Sequence, residues 1–152
     1  MSDGSLITEE IKAMTGTESR PFVVEVDKST VRKFAEAVGD DNPLWKDDEY
    51  AKKSKYGSLM APPGMAVAAF MAGFDLRPQV PTFLEKRIDG GCELECYKPI
   101  KIGDTITGVV KLIDILEREG KSGRMLLLIH ETTMKNQCGE IVAKVRGTQI
   151  WS

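Results

Sequence analysis

The sequence predicts an α+β domain in which an antiparallel sheet wraps around one apolar helix. Three observations carry that prediction. The run Leu59 to Phe74, "LMAPPGMAVAAFMAGF", has no charged residue on any helical face, so a helix formed there has to be buried. From Asp104 onward, three long segments rich in apolar residues are separated by the short turn sequences "KSGR" and "KNQCGE", the pattern of an antiparallel meander. One strand comes first, then helices, then the long sheet, an order that belongs to the α+β class.

Residues 1–20 are polar and read as a helical turn or loose lead-in, which places the domain proper at residues 21–152. Pro21 to Ser29 reads as a strand with Phe22, Val24 and Val26 on one face. A helix follows, with Ser29 or Thr30 as its cap, an apolar stripe of Val31, Phe34, Ala35 and Val38, and Gly39 after its end. A second, short helix runs from about Asp47 to near Gly57. Pro62 and Pro63 suit the entrance of the apolar helix, where a missing amide donor costs little. Its residues Gly64, Ala66, Ala68, Ala69, Ala72 and Gly73 are small, so something packs close to the helix or space is left beside it. One strand lies within Glu85 to Ile100, and Pro99 to Asp104 is a loop. In the next strand Ile106, Val110 and Leu112 alternate inward until a register irregularity near Ile113 and Asp114. The nearly unbroken apolar start of "MLLLIHETTM" predicts burial on both faces, and the final strand points Ile141, Ala143 and Val145 inward. A sheet of this kind around one helix is the hot-dog architecture.

A chain of 152 residues with 41% hydrophobic and 29% charged residues is large and apolar enough for one globular core. A net charge of -2 gives no electrostatic footprint for nucleic acid. The longest uncharged apolar run holds two prolines and is shorter than the ~20 residues of a membrane span, and the N-terminus does not read as a signal peptide. A cytoplasmic protein that contacts neither nucleic acid nor membrane is expected. Cys92 and Cys96, four apart in a strand, lie ~13 Å apart at the usual rise, too far to bridge. With Cys138 they read as free thiols, and no zinc-like spacing exists.

The polar stretch "GDDNPLWKD", Gly39 to Asp47, contains an out-of-place tryptophan, Trp45. It belongs to "FAEAVGDDNPLWKDDEYA", which resembles the hydratase signature of the MaoC-like (R)-specific enoyl-CoA hydratases and 3-hydroxyacyl dehydratases: an Asp after a Gly, then Asn-Pro, then a His two residues beyond. "APPGMAVAAF" resembles the entrance of that family's central helix, and "IKIGDTITGVVKL" and "NQCGEIVAKVRGTQI" its later strands. The resemblance implies that Asp40 matches the catalytic Asp, Asn42 its neighbour, and Gly64 the glycine whose amide polarises the thioester carbonyl. Trp45 stands where the family has its catalytic His.

The chain is most similar to the FAS1-like N-terminal dehydratase branch, in which one hot-dog half keeps the Asp–His pair and the other has lost it. The resemblance therefore implies a non-catalytic subunit that accommodates the acyl chain, in a heterodimer with an active hot-dog partner or as a homodimer when alone. Its substrate would be an acyl-CoA or acyl-carrier thioester, with no cofactor or metal. Asn42, Gly64, Met65, Ala68 and Ala69 are the expected substrate-binding residues, the last two beside an acyl tunnel. Two alternatives stay open: a thioesterase using Asp40, Asp41 or Asp47 as its carboxylate, and an acyl-CoA binding protein. Asp40 also suits a plain amide-capping role, Lys52, Lys53 and Lys55 a solvated helix face, and His130 a structural one.

Overall fold

Asp27, not Ser29 or Thr30, starts the first long helix. Its carboxylate accepts the Thr30 amide at 2.9 Å and the Thr30 hydroxyl as well, which holds the acid below its usual carboxylate pKa. A carboxylate answers a free amide donor and also suits the positive end of the helix dipole, so it outcompetes the two hydroxyls that follow. In the computed structural model, which describes residues 4–121 and 123–152, the helices are α1 (Glu9–Ala13), α2 (Lys28–Val38), α3 (Asp48–Lys53) and α4 (Met65–Ala72). The strands are β1 (Phe22–Glu25), β2 (Arg87–Cys96), β3 (Thr105–Gly120), β4 (Gly123–Lys135) and β5 (Ile141–Trp151). They form one antiparallel sheet in the order β1-β3-β4-β5-β2. Ser122 of the "KSGR" turn, and residues 1–3 of the lead-in, lie outside the described residues.

The register irregularity falls where the sequence put it. Pairing of β3 with β4 shifts between Leu112 and Asp114, and the extra residue, Ile113, lets Ile115 rather than Asp114 face inward. Two expectations about the sheet are corrected. β4 is not buried on both faces: Leu126, Leu128, His130, Thr132 and Met134 are buried, while Leu127 and Ile129 on the outer face are only half-buried. The helices cover one side of the sheet, so the outer apolar residues have no layer above them. In β5, Ala143 and Val145 are buried but Ile141 is half-buried and Val142 takes an inward place. A second register shift, between Met134 and Lys135, rotates the start of the strand.

The main core gathers around α4: Val31 and Ala35 of α2, Met65, Ala66, Ala69 and Phe70 of α4, and Ile106, Met134 and Val145 from the sheet. Small residues let the helix lie close to the sheet. A Cβ on Gly147 would approach the Phe70 ring to 3.1 Å, so Phe70 packs directly on the β5 backbone. A second cluster holds Leu112, Ile115, Leu126 and Leu128 with Leu6 and Ile11, so the lead-in takes the helical-turn form and packs on the sheet. Backbone bonds from Gly16 to Leu112 (2.7 Å) and from Ser19 to Val110 (2.8 Å) fasten it there.

α4 is apolar all round yet buried on one side only. Met71 is 53% exposed, Ala72 is exposed, and Val67 and Ala68 are half-buried. At the sheet edge, β2 is exposed along nearly its whole length and is broken by a register shift between Asp89 and Cys92, where Gly91 adopts a φ of 94°. Such an edge presents unpaired backbone groups to any strand that can pair with it. Among the described residues no helix is long and apolar enough to cross a membrane.

Candidate functional site

A relay of side-chain to backbone bonds shapes the segment between α2 and α3. Gly39 ends α2 in the left-handed region at φ 72°. Asp40 Oδ1 then accepts the Asn42 amide at 3.1 Å, and Asn42 Oδ1 accepts the Leu44 amide at 3.0 Å, capping the 3-10 turn Pro43–Trp45. Asp47 Oδ1 accepts the Tyr50 amide at 3.0 Å and starts α3. Asp41 pairs with Lys46 at 2.9 Å; the hydrogen bond from that ammonium, and then its charge, hold the acid below its usual range. These polar side chains therefore fold the loop, and the loop turns Trp45 inward. The indole is 8% exposed, and its Nε1–H has no hydrogen-bond partner among the described residues.

Trp45 forms one wall of an apolar cavity of about 290 Å³. Leu44, Met60 and Ala66 line it beside the indole, Tyr56 and Tyr97 stand at it, and Val142 of β5 closes it from the sheet. Two distant loops are tied together to make this wall. Ala61 donates to the Ile100 carbonyl at 2.8 Å, and Ile102 donates to the Leu59 carbonyl at 3.1 Å.

Of the sequence-predicted site residues, the structure brings only Trp45 to this cavity. Asp40 and Asn42 are half-buried loop builders, as described. Met65 and Ala69 belong to the core, Ala68 is half-buried, and none of the three lines the cavity, whose helix wall is Ala66. At the helix entrance the Met65 amide donates to the Pro62 carbonyl at 2.8 Å. Gly64 keeps an N–H with no internal partner among the described residues, so it alone of the pair is available to a ligand oxygen. A Cβ there would meet Phe34 Cζ at 3.3 Å, so the entrance is close-packed as well.

No imidazole reaches this place. His130 is fully buried on β4, and its Nε2 lies 3.0 Å from the Pro78 carbonyl, so that nitrogen carries the proton and donates it. Burial pushes its pKa down; the Pro78 bond opposes this and the nearby Arg77 charge adds to it, so the ring is neutral. The Tyr97 hydroxyl donates to Glu95 Oε2 at 2.5 Å, and this bond, with smaller help from burial, raises its pKa and keeps it protonated. Lys52, Lys53 and Lys55 are exposed, with Lys52 near Glu49 and Lys55 over the Tyr56 ring. Among the described residues there is no cluster of metal-ligating side chains, and the three cysteines are free and exposed. Met60 is a core methionine whose adaptable side chain also suits a flexible acyl chain, as the sequence suggests, whereas sequence reasoning missed the walls supplied by Tyr56 and Tyr97. Their only signal is that an aromatic residue sits next to a turn sequence, as in "KYGS" and "CYKPI".

A family model described as the FAS1-like dehydratase domain region matches residues 13–145. A UPF0336 protein of Saccharopolyspora erythraea is 36% identical over 99 residues, a stretch covering 63% of this chain and 64% of that relative. Among solved structures, the HadBC (3R-hydroxyacyl-ACP dehydratase) complex of Mycobacterium tuberculosis superposes with a TM-score of 0.75 at 22% identity, covering 90% of this chain and 96% of that one. The R-hydratase PhaJ1 of Pseudomonas aeruginosa does so with 0.71 at 20% identity, covering 89% and 79%. At such identities the structures establish the fold, and the fold is the hot dog. The family match runs from α1 into β5 and takes in the Trp45 loop, the helix entrance and most of the sheet, so this chain belongs to the FAS1-like dehydratase family and has the hot-dog fold of the MaoC-like hydratases and dehydratases.

Proposed function

We propose that this chain is the non-catalytic, acyl-chain-holding subunit of a heteromeric hydro-lyase that interconverts 2-enoyl and 3-hydroxyacyl thioesters. Its partner would be a second hot-dog chain carrying the Asp–His pair. The observation that carries the reading is Trp45. Hydration of an enoyl thioester needs a group that holds and moves a proton near neutral pH, which an imidazole does and an indole does not. Here the indole instead forms a wall of an apolar cavity suited to a hydrocarbon chain. The substrate would be an acyl-CoA or acyl-carrier thioester, with no cofactor, and the Gly64 N–H could donate to its carbonyl oxygen at the helix entrance. The open β2 edge and the uncovered face of α4 supply a place for the partner. The similarity to HadBC, itself a complex, agrees with a heteromer.

The thioesterase alternative has less support. Asp40, Asp41 and Asp47 are each committed to a backbone amide or a lysine, and none of them lines the cavity.

The test is hydration of crotonyl-CoA and longer 2-enoyl-CoAs by the pure chain, followed by disappearance of the enoyl thioester. Background rates are expected, with the isolated chain sedimenting as a homodimer. Pull-down from the source cell should recover a hot-dog chain with an intact Asp–His pair, and the reconstituted pair should turn over. Stereospecific hydration by the homogeneous chain alone would overturn the reading. In the active pair, Ala66→Leu is expected to lower kcat/KM on long chains by about 10-fold, the effect of a filled apolar subsite, and to spare crotonyl-CoA. Equal losses on both, tracking a lower Tm, would make Ala66 a packing residue only.

A further inference from the structure

At the end of α4 far from Trp45, the chain passes through a 3-10 turn, Phe74–Leu76, and Arg77 folds back beneath it. Its Nε donates to the Phe74 carbonyl at 3.1 Å, and its guanidinium carbon lies 3.4 Å from the centre of the Phe74 ring. The residue is 6% exposed. That one bond uses a single N–H of a group that carries five, and among the described residues no carboxylate comes within ion-pair distance of it, although the charges of Asp89 and Asp75 act on it from farther away. A structural role as a cap for the turn explains the Nε bond and leaves the other donors unexplained.

Arg87 of β2 approaches the same ring at 5.3 Å and lies 6.0 Å from the ring of Trp151, its partner across the sheet. It too has no ion-pair partner among the described residues. The two rings fix a second guanidinium beside the first, and its charge, after burial, is what most lowers the Arg77 pKa. Gln149 of β5 completes the group. It is 2% exposed, and among the described residues neither its amide nitrogen nor its amide oxygen has a hydrogen-bond partner. Arg77, Arg87 and Gln149, with Phe74 and Asp89, line one cavity of about 230 Å³. Asp89 offsets part of the charge, but its Oδ1 is turned to the Gly91 amide at 2.9 Å.

Buried polar groups in folded proteins are almost always answered, and Gln149 is the buried orphan of this group; Arg77 and the exposed Arg87 bring two cations to the same cavity, so one acceptor inside it would answer all three. Two guanidiniums and an amide are the donor set that recognises phosphate and carboxylate oxygens. We propose that this cavity binds a small oxyanionic group, phosphate or carboxylate, held between Arg77 and Arg87 with the Gln149 amide as third donor. The site is separate from the Trp45 cavity and does not depend on the hydro-lyase reading.

The test uses the intact chain at constant ionic strength, titrated with inorganic phosphate in one arm and sodium acetate in the other, with the thermal midpoint as readout. At about ten times Kd, mass action predicts a rise of roughly 3–6 °C. Arg87→Gln, a change at an exposed position, and Gln149→Met are each expected to cut the rise to less than half. A rise with phosphate alone identifies a phosphate ligand, with acetate alone a carboxylate, and with both an oxyanion site of either kind. No rise with either anion, or an equal rise in both variants, overturns the proposal.

Discussion

A loss of about 3–5 kcal/mol in unfolding free energy is the expected result of Trp45→Ala, at the upper end for single substitutions. The indole is buried in the same cluster as α2 and α4, so its removal takes away transfer energy and contacts together. It also borders an existing cavity, so the lost volume joins a void already propped open by the paired loops and cannot readily collapse. Trp45→Phe should cost less than about 1.5 kcal/mol, because the ring volume is largely kept and the lost N–H had no partner among the described residues. Urea unfolding with an unchanged slope measures both. Equal losses for the two variants would mean that the indole N–H, and not its bulk, is what the site requires.

Gly108→Ala is the second large effect, expected at about 1–3 kcal/mol. The Phe22 ring is clamped between two glycines. A Cβ on Gly108 would lie 2.2 Å from Phe22 Cζ, and one on Gly73 would lie 2.4 Å from Phe22 Cε1. The ring cannot escape one wall without meeting the other, so β1 itself has to move. Phe22→Leu is destabilising in the native background through lost burial, yet it should recover part of the loss in the Gly108→Ala background. A double-mutant cycle reads this coupling. Simple additivity of the two changes would show that the ring and the glycine do not constrain each other.

The parts of the fold legible in the sequence were those set by local periodicity and turn chemistry. The alternation of Ile106, Val110 and Leu112 and its break at Ile113 can be read directly from the spacing, and the structure keeps them. What misled was any inference about how many layers cover an element. An apolar strand start looks the same whether one face or two are packed, and so "MLLLI" overstated the burial of β4. The same holds for α4, whose uniform apolarity does not say which side the chain itself covers. At the site, Trp45 was visible because a sequence motif frames it. Tyr56 and Tyr97 were not, since only the pairing of the Leu59–Ala61 and Ile100–Ile102 segments brings them to it. Arg77 and Gln149 gave no signal either, because the burial of a polar side chain is a property of the finished packing.

The strand order has a consequence for how the chain comes off the ribosome. β2 is synthesised before β3 and β4, yet its sole strand neighbour among the described residues is β5, which comes after both. During synthesis β3 and β4 can zip together through their adjoining turn while β2 waits, its backbone hydrogen bonds unmet and Ile88 with nothing to pair against. Closing that long loop is the entropically slow step, and until it happens the waiting strand is the segment most open to pairing with another nascent chain. Its glycine-kinked middle, Gly90 and Gly91, shortens the straight stretch offered to such strangers. The kink that shapes the finished edge therefore also guards the unfinished one.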